Sequence, residues 1–197
     1  MRDSMQDDTL QQMLAETGDE PLSNNSDNPH FDAGLLCRNH EYVDQNVLHV
    51  GGPTVVSNTR PVADEVRKEI AAHGVSVVEV KRDRSGTWGV VRGKYNRRVT
   101  AGTRVEITGP VRGSEYVRTK YSPKGTHARG TINNCGHGTT PWDTYLTCEE
   151  NWAGYFVNRG AVRPREQQRY GVPFGATATS RYRWDTVAGD GVPAVAA

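Results

Sequence analysis

Val75-Ser76-Val77-Val78-Glu79-Val80 is β-branched and partly alternating, and no other stretch constrains the fold as tightly. Asp83-Arg84-Ser85-Gly86 supplies turn chemistry, and Trp88-Gly89-Val90-Val91 resumes as a strand, so the segment predicts a β-hairpin. Leu35-Leu36-Cys37, Val105-Glu106-Ile107-Thr108, Thr131-Ile132 and Tyr145-Leu146-Thr147-Cys148 are further short strand candidates, separated by Gly- and Pro-rich turns. A helix is predicted from Pro61 to His73. Proline needs no N–H in the first turn, Val62, Val66 and Ile70 form one apolar stripe, and Gly74 sits at the stop. One surface helix among many short strands with long polar connections predicts an all-β fold, a sandwich or part of a β-propeller. No internal repeat of about 40–50 residues supports the propeller by periodicity.

The chain of 197 residues is long enough for one domain, although its mean hydropathy of −0.70 is polar for a compact fold. No run approaches the ~18 apolar residues that a membrane span needs. The net charge of +1 argues against a general nucleic-acid binder. That total hides a split. Residues 1–33 hold eight acids and one base, a net of −7, while the remainder holds 23 bases and 15 acids, a net of +8. We read 1–33 as an acidic, mostly disordered head, 34–186 as the ordered domain, and 187–197 as an irregular tail. Three cysteines cannot all pair within one chain.

The densest chemistry lies between Thr131 and Trp152, which packs Cys135, His137, Glu149, Glu150 and three asparagines around a Gly/Pro turn. Gly136 and Gly138 let the backbone bend around whatever Cys135 faces. Leaving the strand at Cys148, Glu149 and Glu150 face opposite sides if extension continues, so one reaches a site and the other supports it. Thiolate favours a soft metal and carboxylates a hard one, so the set points to a mixed site. Simpler readings stand beside this one. Cys135 and Cys148 form a disulfide, or Cys148 is a small core residue. Cys135 and His137 bind zinc, although the spacing lacks the usual paired ligands. Trp142 and Trp152 pack the turn, His40 and Glu41 are a solvated loop pair, and Arg97-Arg98 is a solvated pair or grips phosphate.

Asn39-His40-Glu41-Tyr42, Ala72-His73-Gly74 running into Val75–Val80, Tyr95-Asn96-Arg97-Arg98, and Asn133-Asn134-Cys135 through Thr140-Pro141-Trp142 to Thr147-Cys148-Glu149-Glu150-Asn151 occur in the order of the PhoX-type alkaline phosphatases (DUF839). The chain resembles that family from about Gly34 to Trp184. The resemblance implies a six-bladed β-propeller with elaborate loops, and hydrolysis of phosphate monoesters with iron and calcium as cofactors. It maps the iron thiolate onto Cys135 and its carboxylates onto Glu149 or Glu150, with Glu41 as the next metal carboxylate. Asn134 is implied as a catalytic residue that orients ligand or phosphate. It also implies export by the twin-arginine route. This chain shows no such signal, which leaves a cytoplasmic location or none assigned.

Family members are several times longer, and at about 40–45 residues per blade the ordered part supplies three or four blades at most. We therefore expect a truncated member. It is either an incomplete phosphatase, an inactive metal- or phosphate-binding remnant, or one part of a propeller split with a complementing chain. Asp143 stands where the family turn is expected to carry glycine, and Gly136-His137 departs from a small residue followed by Asn.

Overall fold

The computed structural model describes residues 33–187; the expectations for the head and tail lie outside them. Four strands form the main sheet: β1 (Ala33–His40), β2 (Gly74–Arg82), β3 (Trp88–Val91) and β4 (Arg97–Val99). The predicted hairpin is β2–β3, in the register Glu79↔Val91 to Arg82↔Trp88. Its turn is closed by Asp83, whose Oδ1 accepts from the N–H groups of Ser85 (2.8 Å) and Thr87 (3.1 Å). β1 covers one edge of β2 from Ala33↔Lys81 to His40↔Gly74. β3 and β4 share the other edge, β4 taking Val75–Val77. Where β3 hands over to β4 the ladder is filled by Asn96, which accepts from Glu79 N–H (2.7 Å) and donates to Val91 C=O (2.7 Å). All of these pairings are antiparallel.

Three helices follow in chain order: α1 (Gln45–Leu48), α2 (Ala63–Ala72) and α3 (Arg165–Arg169). α2 is the predicted helix, but its buried stripe is Val66, Glu69 and Ile70, and Val62 is an exposed cap. The stripe packs on Val43, Ile132, Tyr155, Tyr182 and Trp184. Within this apolar cluster lies a fully buried carboxylate, Glu69, bound by the Arg60 guanidinium, the Trp184 indole N–H, the Gln45 amide and His49. Buried charge survives only when paired and hydrogen-bonded in this way, and removing one partner costs about 3–5 kcal/mol.

The helix ends on Arg98, whose Nη2 donates to the carbonyls of Ala71 (3.2 Å), Ala72 (2.9 Å) and His73 (3.0 Å). The expectation that Arg98 is solvated or grips phosphate is thereby corrected. Gly74 then reverses the chain at φ +111°, with a Cβ there falling 2.0 Å from Val99 O, so only glycine fits.

Two ribbons complete the fold: β5 (Arg104–Glu106) with β6 (His127–Arg129), and β7 (Asn134–Thr139) with β8 (Tyr145–Glu149). The β4 and β6 strands carry arginine and histidine instead of apolar runs, so no pattern announces them. Thr131-Ile132 is not a strand; Ile132 is core. The β7–β8 turn holds Asp143 at φ +60°, the left-handed conformation that glycine adopts freely and aspartate tolerates. Trp142 is exposed, not packed, whereas Trp152 lies against the core, Phe156 and Tyr170. The described residues are thus mostly antiparallel sheet in three separate sheets, none of them closed, with few helices. No helix among them is long and apolar enough to cross a membrane.

Candidate metal centre

β7 is a strand where the glycines predicted a turn, and its deformation serves the same purpose. Asn134 pairs with Glu149 and His137 with Thr147, so Cys135 and Gly136 together stand opposite Cys148. This is a β-bulge, a device that re-aims a side chain. Cys135 is exposed on it. The ribbon is closed behind Glu150, whose N–H donates to Asn133 C=O (3.0 Å). Asn133 and Asn151 flank the ribbon, both at φ +49°. The left-handed turn at Asn151 ends β8 just past Glu150, and the Asn151 amide holds Glu150 Oε1 (2.9 Å).

These bends bring three donors together. One ligand atom each from Glu41, Cys135 and Glu150 lies within 4.8 Å of the others, the one such group among the described residues. Glu41 arrives from the end of β1. The Asn39 amide ties that end to the bulge by donating to Cys135 C=O (3.0 Å). Asn39 Oδ1 accepts from Tyr145 Oη (3.0 Å) and Thr147 Oγ1 (2.9 Å) on β8.

The charges of Glu150 and Glu41, with slight burial, push the Cys135 thiol above its ordinary range. No relief comes from His40: burial, helped by Arg98 and Arg38, pushes it down to about 4, so it is neutral beside Glu41. The trio therefore repels itself unless a cation is bound. Two carboxylates and a thiolate fit a borderline cation such as iron, and the carboxylates alone would also accept calcium.

Of the residues expected from sequence, the structure brings together Glu41, Cys135 and Glu150. Glu149 points elsewhere, its Oε1 accepting from Thr131 Oγ1 (2.8 Å) and Ile132 N–H (3.0 Å). The two adjacent carboxylates do divide as the strand geometry predicts. Asn134 is fully buried and its Nδ2 donates to Thr131 Oγ1 (2.6 Å) and Thr147 Oγ1 (3.0 Å). Its Oδ1 is buried without a hydrogen-bond partner. Cys135 and Cys148 are unpaired cysteines, and Cys148 is exposed, which corrects both the disulfide and the core readings. His137 stays out of the donor group and stacks on Tyr145 with centroids 5.6 Å apart, against the zinc reading. The sequence reading missed Asn39 as a contributor. Its only signal is a place two residues before Glu41, because its partner Cys135 lies 96 residues away.

The sequence profile of the family described as alkaline phosphatase PhoX matches residues 5–192, reaching into both the acidic head and the tail. Comparison with curated proteins finds no match. Among solved structures, the chain is similar to Pseudomonas fluorescens PhoX in complex with vanadate, a transition state analogue, at 36% identity and a TM-score of 0.65. The match covers 77% of this chain and 25% of that one. It therefore spans about a quarter of the length of the PhoX chain it resembles. With the profile covering nearly all of the sequence, the chain belongs to the PhoX alkaline phosphatase family.

Proposed function

We propose that this chain carries part of a metal-dependent phosphomonoesterase site, in which Cys135, Glu41 and Glu150 hold iron and calcium. The observation that carries this reading is the convergence of the three donors within 4.8 Å from three separate stretches of chain. Physical chemistry requires a cation here, because two carboxylates and a thiol would otherwise repel a phosphate ester. Bound metal supplies charge neutralisation and polarisation of phosphoryl oxygen. The chain's own part is to hold the donors apart from bulk disorder: the bulge presents Cys135, and Asn151 orients Glu150. Glu149 fastens β8 to Thr131 and Ile132 instead of binding metal. The unpartnered Asn134 Oδ1 is an acceptor, suited to a cation or a hydroxyl and not to a phosphate anion. Vanadate in the related PhoX supports a phosphate ester as the substrate class. We also place the three sheets in a partial propeller, and export by the twin-arginine route belongs to the same proposal on the family resemblance alone.

The quarter-length match favours a second reading for this chain by itself, binding of metal or phosphate without turnover, with the remaining ligands on a complementing chain. Metal analysis tests the first reading. After loading with iron and calcium, wild type retains iron, while Cys135→Ser loses most of it, because a serine hydroxyl does not readily deprotonate. Cys148→Ser keeps the metal. Full iron in the Cys135 variant, or none in wild type, refutes the assignment. Turnover of a chromogenic phosphate ester separates the two readings: background rate is expected, and about 1 s⁻¹ or more, ordinary for an enzyme, would show that the chain is sufficient.

A further inference from the structure

Beneath the three donors runs a chain of polar side chains in which every hydrogen has a defined place. Asn39 Oδ1 receives the hydroxyl protons of Tyr145 and Thr147, filling both of its lone pairs. Thr147 Oγ1, having donated its proton, accepts from Asn134 Nδ2. The other Asn134 amide hydrogen goes to Thr131 Oγ1, whose own proton goes to Glu149 Oε1. Asn39 Nδ2 donates to the Cys135 carbonyl. The orientation of the Asn39 amide is therefore determined. Turned over, it would place oxygen against the Cys135 carbonyl with no hydrogen between them.

This arrangement has one location with leverage. Asn39 is two residues before Glu41, is hydrogen-bonded to the backbone of Cys135, and is bonded to two side chains of the strand that ends in Glu149 and Glu150. It belongs to the main sheet, whereas Cys135 and Glu150 belong to the β7–β8 ribbon, which pairs with no other strand among the described residues. We propose that Asn39 is the positioning residue of the metal centre. Its carboxamide sets the ribbon against the end of β1, and so fixes the separation of Glu41 from Cys135 and Glu150. The inference rests on the metal-binding reading above and assigns Asn39 no contact with metal or substrate.

Cobalt(II) is the probe, because its thiolate charge-transfer absorption reports bonding to cysteine directly and needs no turnover. Wild type is titrated with Co²⁺ alongside Asn39→Ala, Asn39→Asp and Tyr145→Phe, and thermal unfolding of each metal-free protein is recorded. Partners that orient metal ligands are worth about tenfold to a hundredfold in affinity, and Asn39→Ala is expected to lose that much. Asn39→Asp keeps the acceptor for both hydroxyls but cannot donate to the Cys135 carbonyl. It is expected to lose affinity while remaining folded, so it carries the test if the alanine variant does not fold. Tyr145→Phe removes one bond of the three and loses less. A merely structural role would lower thermal stability and leave the affinity and charge-transfer intensity of the folded protein unchanged, which overturns the inference. Absence of the charge-transfer band in wild type overturns the metal-binding reading itself, a distinct result.

Discussion

At the scale of single residues, the candidate site depends on how the neighbours of one thiol set its charge. Glu150 and Glu41 raise the Cys135 thiol, so in metal-free protein it resists deprotonation and is a poor nucleophile. Iodoacetamide labelling followed by mass spectrometry is expected to speed up severalfold at Cys135 when Glu150 is changed to Gln. An unchanged rate would show that the carboxylate does not act on the sulfur. Cys135, Glu150 and Glu41 were legible in sequence because each sits in a compact motif of reactive residue types. Glu69 was not, since a glutamate between Val66 and Ile70 looks like the polar side of a helix until Arg60, His49 and Trp184 are seen around it. Those partners come from distant segments, and no local pattern encodes them.

At the scale of elements, two turns hold left-handed backbone with opposite fitness. Gly74 joins α2 to β2 at φ +111°, with no room for a methyl group beside Val99 O. Gly74→Ala is expected to destabilise by about 3 kcal/mol, through strain and a collision with backbone that cannot yield. Asp143 occupies the corresponding kind of conformation in the β7–β8 turn, and Asp143→Gly is expected to stabilise by up to about 1 kcal/mol. Urea denaturation of both variants gives the signs, and a neutral Gly74→Ala or a destabilising Asp143→Gly would contradict the backbone argument. The substitution of Asp for the expected Gly is thus explained by the turn itself. Sequence located the β2–β3 hairpin well because valine alternation and turn residues coincide there. It mistook β7 for a turn because a bulged strand rich in glycine carries turn composition while keeping ladder bonds.

For the whole molecule, stability is coupled to pH through buried groups that hold the core together. Burial pushes the His73 imidazole below its ordinary value, and its Nδ1–H donates to Glu69 C=O (2.7 Å). Burial works to raise Glu69 and Asp185, but hydrogen bonds win. Glu69 is held low by Arg60, Trp184 and His49, and Asp185 by Ser180 and Arg159. All three folded-state values are depressed, so each group contributes stability that is present above its unfolded pKa and lost as pH falls through its folded one. Loss therefore begins below about pH 6.5 with His73 and steepens below about pH 4.5 with the carboxylates. Denaturation midpoints measured from pH 8 to 3 should show both phases, and His73→Gln should remove the first. A flat profile down to pH 4 would mean that His73 is not held neutral. Family membership was legible in the order of several motifs, whereas the division into three unconnected sheets was not, because strand pairing between remote segments leaves no local trace. That division changes what the donor trio is. Its ligands sit on pieces of backbone that no ladder joins, so an ion bound there acts as a rivet between plates as well as a chemical reagent. Capturing the cation and docking the ribbon then become one equilibrium, and a cell short of metal would hold a chain that is loosened as well as unloaded.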